Sequence, residues 1–146
     1  MGEGEIDQEF KRCIEKGKLR KFPKGKRFFQ KELKTAEEDL EEAKGNYKNK
    51  KFKWATIQGY YCMFHSARAL LYSRGFREKS HYALLIAIRE LFGSELGRSL
   101  IDKFEEGMDL RQEADYGLKF SDVGAVEVVE SAEAFLKKVC QILKVA

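Results

Sequence analysis

Four side chains stand out for the chemistry they could do: His65, Arg68, His81 and Arg111. Histidine can exchange a proton near neutral pH, and arginine can hold phosphate charge through a planar fork of donors. The chain has only two histidines, so each one matters. His65 and Arg68 lie three residues apart, which makes them neighbours on one helical face. His65 reads either as an interior histidine with a partner or as a ligand contact. Arg68 reads either as a phosphate contact or as the partner of an acid on another helix. His81 follows Lys79 and Ser80 at a helix start, where free amides and a partial positive charge suit an anion. The same residues also suit ordinary capping. Arg111 falls on the stripe of Phe104 and Met108, and an arginine facing a core needs an anionic partner. Asp115, one turn on, can be that partner. The other reading sets Arg111 and Tyr116 at the rim of a phosphate-accepting groove.

Other chemistries lack their residues. There is no glycine-rich phosphate loop, nucleophile elbow or paired-carboxylate signature. Cys13, Cys62 and Cys140 are odd in number and widely spaced, which predicts no metal site and suits a reducing, cytoplasmic setting. No metal or cofactor is expected. The first ten residues are polar and acidic, unlike a signal peptide, and no run approaches the ~20 apolar residues of a membrane span. Formal net charge is +4, unevenly spread: residues 11–27 hold nine basic side chains and one acidic. Lys48, Lys50, Lys51 and Lys53 form a second basic cluster, beside Trp54, which could pack or stack a base. Such segments can engage phosphate backbones or simply be solvated.

The elements that must hold these residues are helical. Of 146 residues one is proline, and Glu, Lys, Ala and Leu are abundant. A short first helix is predicted from Ile6 to Lys16, followed by a basic connector over 17–25. Phe29, Leu33, Ala36, Leu40, Ala43 and Tyr47 alternate steps of four and three, predicting a helix from Lys26 to Tyr47 that ends in a turn at Gly45, Asn46 and Asn49. A nearly all-apolar helix, Phe52 to Ser73, belongs at the centre of a bundle. Within it Tyr60 and Tyr61 read as core aromatics with hydroxyls at the surface. Ser80 caps a helix from His81 to Phe92, with Gly93 and Gly97 bounding the next turn. Arg98 to Asp115 and a last helix capped by Ser121 complete the chain. The expectation is an all-α, up-and-down antiparallel bundle of four to five helices with an extra N-terminal helix. Its predicted divisions are 1–25, the basic helix and connector, and 26–146, the bundle.

Three stretches carry a resemblance. Gly59 to Leu71 contains two aromatics, Met63-Phe64-His65 and Ala69-Leu70-Leu71. Gly75-Phe76 precedes Lys79-Ser80-His81. Arg111-Gln112-Glu113-Ala114-Asp115-Tyr116 closes the fifth helix. In order and spacing, over about Leu33 to Leu143, these resemble the HEPN family, the helical domains named for higher eukaryotes and prokaryotes nucleotide-binding. The resemblance implies a homodimeric helical bundle. It also implies binding of a nucleotide or RNA, or partnership with a minimal nucleotidyltransferase in a toxin–antitoxin or accessory pair. Many family members are metal-independent endoribonucleases using an arginine followed, after four to six residues, by a histidine. Here Arg111 is followed at that place by Tyr116. Arg74 and His81 satisfy the spacing literally, but in a different part of the fold. The resemblance therefore implies a non-catalytic or weakly catalytic member more than an enzyme. Arg111, Tyr116, Asp115, Arg68, His65, His81 and Lys79 are the candidate ligand residues. The alternatives are a ribonuclease toxin working through Arg111 with His81 or His65, and a purely structural interaction module.

Overall fold

The computed structural model describes residues 3–145, with side chains from Gln8 onward, so the expected packing of Ile6 lies outside the described residues. Eight elements follow in order: α1 (Glu3–Glu15), β1 (Leu19–Lys21), α2 (Gly25–Lys48), α3 (Phe52–Ser73), β2 (Phe76–Glu78), α4 (His81–Leu96), α5 (Arg98–Asp115) and α6 (Asp122–Leu143). The fold is an all-α bundle with one small two-stranded ribbon. No helix among the described residues is long and apolar enough to cross a membrane.

α3 is the hub. It packs against α2, α6, α5, α4 and β2, as an element apolar on most faces must. Tyr60, Cys62, Met63, Leu70 and Leu71 are all fully buried along it. α2 meets α3 along the alternating seam, burying Leu33, Ala36, Leu40 and Ala43. α5 contributes Ile101, Phe104 and Met108, and α6 contributes Val128, Ala132, Phe135 and Val139 to the same core. Two glycines permit close crossings. A β-carbon on Gly59 would stand 2.8 Å from Cγ1 of Val128, and one on Gly107 would stand 2.5 Å from Cε of Met63.

Caps fix the helix starts that matter for the site. The Ala83 N–H donates to Oγ of Ser80 at 3.0 Å, and the Gly124 N–H to Oγ of Ser121 at 2.9 Å. Gly75 (φ +78°) closes α3 in the left-handed region, as expected.

Four expectations need correction. The connector 17–25 contains β1, which pairs antiparallel with β2; three residues are too few to leave a strand periodicity. α4 does not stop at Phe92 but runs through Gly93 to Leu96, because Leu96 is buried and holds the extra turn in the core. Gly45 and Asn46 lie inside α2, and only Asn49 caps it. Trp54 is half exposed with the Lys53 ammonium 4.9 Å from its ring, and so is not core packing.

The two crossing glycines differ in what they meet. At Gly59 the obstacle is a branched methyl near the α6 backbone, so Gly59→Ala should cost about 1–3 kcal/mol by overpacking. At Gly107 it is the flexible end of Met63, and the gain in helix propensity of about 1 kcal/mol offsets the crowding. Thermal unfolding should therefore show a clear fall in Tm for Gly59→Ala and little change for Gly107→Ala. Equal losses would contradict this account of the crossings.

Candidate functional site

The site grows from one face of α3. Tyr60, Tyr61, Phe64, His65 and Arg68 are spaced by helical steps and line that face. β2 ends at Glu78, and Ser80 then starts α4, so His81 as its first residue is delivered against α3. Its imidazole stacks on Phe64 with centroids 4.6 Å apart, and Nδ1 lies 2.5 Å from the Tyr60 hydroxyl. From α5, the Arg111 guanidinium packs 5.3 Å from the Tyr60 ring, 5.8 Å from that of Tyr61 and 5.8 Å from that of Tyr116. Arg111 and His81, remote in sequence, thus meet across Tyr60.

Arg111 is buried, 6% exposed. Asp115 faces it, as expected, but with 3.8 Å between Nη1 and Oδ2, and the Arg111 Nε is buried without a hydrogen-bond partner. Tyr116, 76% exposed, caps α5 beside it. Tyr60 differs from expectation: its hydroxyl does not reach the surface but ends on His81. Burial pushes the Tyr60 phenol well above its usual range, opposed by the Arg111 charge. His81 is pushed below its usual value, first by burial and then by the Arg111 charge. A phenol can donate to or accept from a neutral imidazole; with the Arg111 cation acting on the phenol oxygen, the assignment that suits all three groups has the Tyr60 O–H donating to Nδ1 and the ring proton on Nε2. In this arrangement His81 offers a donor, and its accepting nitrogen is occupied.

Arg68 finds its acid partners. Its Nε and Nη2 donate to Oε2 of Glu78 at 3.0 and 2.6 Å, and its Nη1 lies 3.5 Å from Oε1 of Glu32. Its guanidinium also lies 4.5 Å from the Phe64 ring centre. Glu78 is buried, and its second oxygen has no partner. His65 turns toward α2: Nδ1 is 2.5 Å from Oε2 of Glu32, and Nε2 is 3.8 Å from Oδ2 of Asp39. Burial raises the Asp39 pKa, with the His65 charge acting against the shift. His65 and Arg68 therefore sit in a network of acids, while His81 and Arg111 face one another.

Two candidates stand apart. Lys79 is exposed, and its backbone N–H donates to the Lys18 carbonyl at 2.9 Å. Arg74, the literal-spacing partner of His81, lies over the Phe92 ring at 5.5 Å instead. Glu78 and Glu32 went unnoticed in the sequence. Glu78 lies in a three-residue strand, and Glu32 in a helix whose many acids look alike. Among the described residues no group of three or more His, Cys, Asp or Glu side chains could hold a metal ion. A groove of about 400 Å³ runs between α5 and α6, lined by Lys103, Glu106, Glu127 and Glu130 among others, away from His81.

Comparison with known proteins agrees with this architecture. The chain is 32% identical to a UPF0332 protein of Archaeoglobus fulgidus over 111 residues, covering 73% of this chain and 87% of that one. It is 31% identical over 118 residues to a Methanocaldococcus jannaschii protein named "Putative toxin", covering 77% and 86%. A second M. jannaschii protein of that name is 31% identical over 93 residues, covering 62% and 63%. The model of the HEPN domain matches residues 29–145, from α2 to the end of α6, and the chain belongs to the HEPN family.

Proposed function

We propose that this HEPN protein binds a phosphate-bearing ligand, a nucleotide or RNA, at Arg111, His81 and Tyr116, with little or no catalysis of its own. One observation carries the reading. Arg111 is a buried cation whose one ion-pair partner among the described residues sits 3.8 Å away and whose Nε lacks a partner there. A buried charge so incompletely matched favours an anion close by. The Nε2–H of neutral His81 and the exposed Tyr116 hydroxyl can donate to the same anion. Proton abstraction from a ribose hydroxyl would need the nitrogen that Tyr60 already occupies, which favours binding over cleavage.

The test is binding of a nucleoside monophosphate and of a mixed RNA pool in excess chelator, with wild type and Arg111→Ala. Nucleotide affinity is expected to fall at least tenfold in the variant, without RNA cleavage by wild type. Equal affinity in a folded Arg111→Ala protein would remove the reading. The second reading is a metal-independent ribonuclease toxin, favoured by the meeting of Arg111 with His81 and by the names of two relatives. Cleavage by wild type that vanishes in both Arg111→Ala and His81→Ala would replace the first reading with this one.

A protein partner is part of the proposal. Tyr116, Leu118, Phe120 and Val123 are exposed around the α5–α6 turn, and Leu118 adopts a positive φ of 54°. Large apolar residues gathered there favour an interface. We assign it to a second copy of the chain, with a minimal nucleotidyltransferase as the other candidate. Leu118→Asp with Phe120→Asp should convert a dimer to a monomer in light scattering while keeping the wild-type helical content, and should remove any dependence of Tm on protein concentration. A wild-type monomer at tens of micromolar would exclude the second copy.

The neutral state of His81 has its own readout. Its midpoint, followed by proton NMR, is expected below about 6.5, and Arg111→Gln should raise it by removing a neighbouring positive charge. Because the folded pKa is depressed, the unfolded chain takes the proton first. The His81 contribution to stability is therefore complete above about pH 6.5 and declines as pH falls toward the folded midpoint. Urea unfolding of His81→Gln should lose that part of the acid dependence. A wild-type midpoint at or above 6.5 would contradict the assigned neutral state.

A further inference from the structure

The β1–β2 register sets Arg20 directly opposite Arg77. Their neighbours in register, Leu19 and Glu78, are buried, so the two arginines stand on the outward face, and both are exposed. Like charges directly opposite on a ribbon destabilise it. A nearby carboxylate would relieve that, but the ion pairs made by arginines among the described residues belong to Arg68, Arg89, Arg98 and Arg111. Arg77 lies instead 5.0 Å from the Phe22 ring, and Arg20 folds back over Gly17. One step along, the Lys79–Lys18 backbone hydrogen bond brings two more exposed lysines across the strands. The cations continue into aromatic rings. Phe22 stacks on Phe28 at 6.3 Å, Phe28 is 37% exposed, and the Lys31 ammonium lies 5.4 Å from its centre.

We propose that this ribbon is a second binding surface, for single-stranded RNA, with Arg20, Arg77, Lys18 and Lys79 on phosphates and Phe28 under a base. It deepens the RNA arm of the function proposed above and rests on it. It lies apart from Arg111, and its β1 half precedes the family match at residue 29. Three features select the occupant. Residues on one face of a strand recur every ~6.6–6.8 Å, a step like that between neighbouring phosphates of an extended strand. Opposed arginines lose their mutual repulsion when a phosphate lies between them. An exposed ring beside a cationic track can stack an unpaired base, whereas a duplex keeps its bases inside.

The experiment is fluorescence anisotropy of a labelled single-stranded RNA of about 20 nucleotides against a salt series. It compares wild type, Arg20→Gln/Arg77→Gln and Arg111→Ala. Losing two phosphate contacts should weaken binding at least tenfold at low salt and reduce the salt slope by about 1.4, at ~0.7 per contact. Tm should hold or rise in the double variant, since the opposed charges are gone; a fall in Tm alongside lost binding would mark a structural role and overturn the proposal. Unchanged affinity and slope in the double variant would also overturn it. Preference of wild type for duplex, for an acidic peptide or for anionic vesicles would replace the occupant and overturn it too. Arg111→Ala separates the two sites: it should lose mononucleotide binding, which the ribbon variant keeps, and lower the RNA salt slope by one contact only, about 0.7. RNA binding that depends on Arg111 alone would leave the earlier reading standing and remove this one.

Discussion

The pairing of Arg68 with Glu78 holds the site in shape. α3 passes through the middle of the bundle, where a charge can persist only with a partner. Glu78 reaches it from β2, buried, with both Nε and Nη2 of Arg68 on one carboxylate oxygen. Three residues later the chain presents His81. The ion pair therefore anchors the turn that aims the histidine, and the Ser80 cap fixes the direction in which α4 leaves. Removing Arg68 would leave the buried Glu78 carboxylate uncompensated; because the Arg68 side chain is itself 26% exposed, the cost falls below the roughly 3–5 kcal/mol of a fully buried pair.

Long periodic elements were legible in the sequence because periodicity is a local property. α3 and α5 fall at the bounds read from apolar spacing and capping residues, and the Ser80 and Ser121 caps hold the first turns as expected. What depends on three-dimensional contact was not legible. β1 exists because Leu19 and Glu78 are both buried where the strands meet, and no local pattern announces that. Gly93 reads as a stop, yet the buried Leu96 carries α4 past it. The same holds for the site. Its arginine and histidine were identifiable by type and spacing, but their meeting across Tyr60 joins three helices. Glu78 and Glu32 were invisible because their importance comes from the cation they face.

The cations of this chain divide by what they face. Arg111 is inside and Arg68 half-buried, and acids and aromatic rings of the bundle surround both. Arg20 and Arg77 are outside and face each other. Arg68 and Arg111 lie within the stretch that matches the family, and half of the outside pair precedes it. The bundle and the ribbon are joined by backbone hydrogen bonds, including that from the Phe22 N–H to the Gly75 carbonyl at 2.6 Å. A surface set by the N-terminal segment is thus tied rigidly to the turn that leads to His81.

The two histidines show how one residue type acquires different roles from its neighbours. His65 has a carboxylate facing each ring nitrogen, one at 2.5 Å and one at 3.8 Å, and so joins α2 to α3. Its Nδ1 is taken by Glu32, and its Nε2 points toward the Asp39 carboxylate, an acid that disfavours an incoming anion. His81 has a phenol on one nitrogen and no acid bonded to the other, and burial with two nearby arginines disfavours its charge. Of the pair, His81 is the one whose second ring nitrogen faces no acid, which suits the donor role proposed for it. The missing family histidine after Arg111 is therefore not simply lost. Its place in sequence is taken by Tyr116, while an imidazole approaches the same arginine from α4. Where the Tyr60 O–H donates to Nδ1, that imidazole is left with a donor alone, and the proposed preference for holding a phosphate ester over breaking one rests on this local constraint.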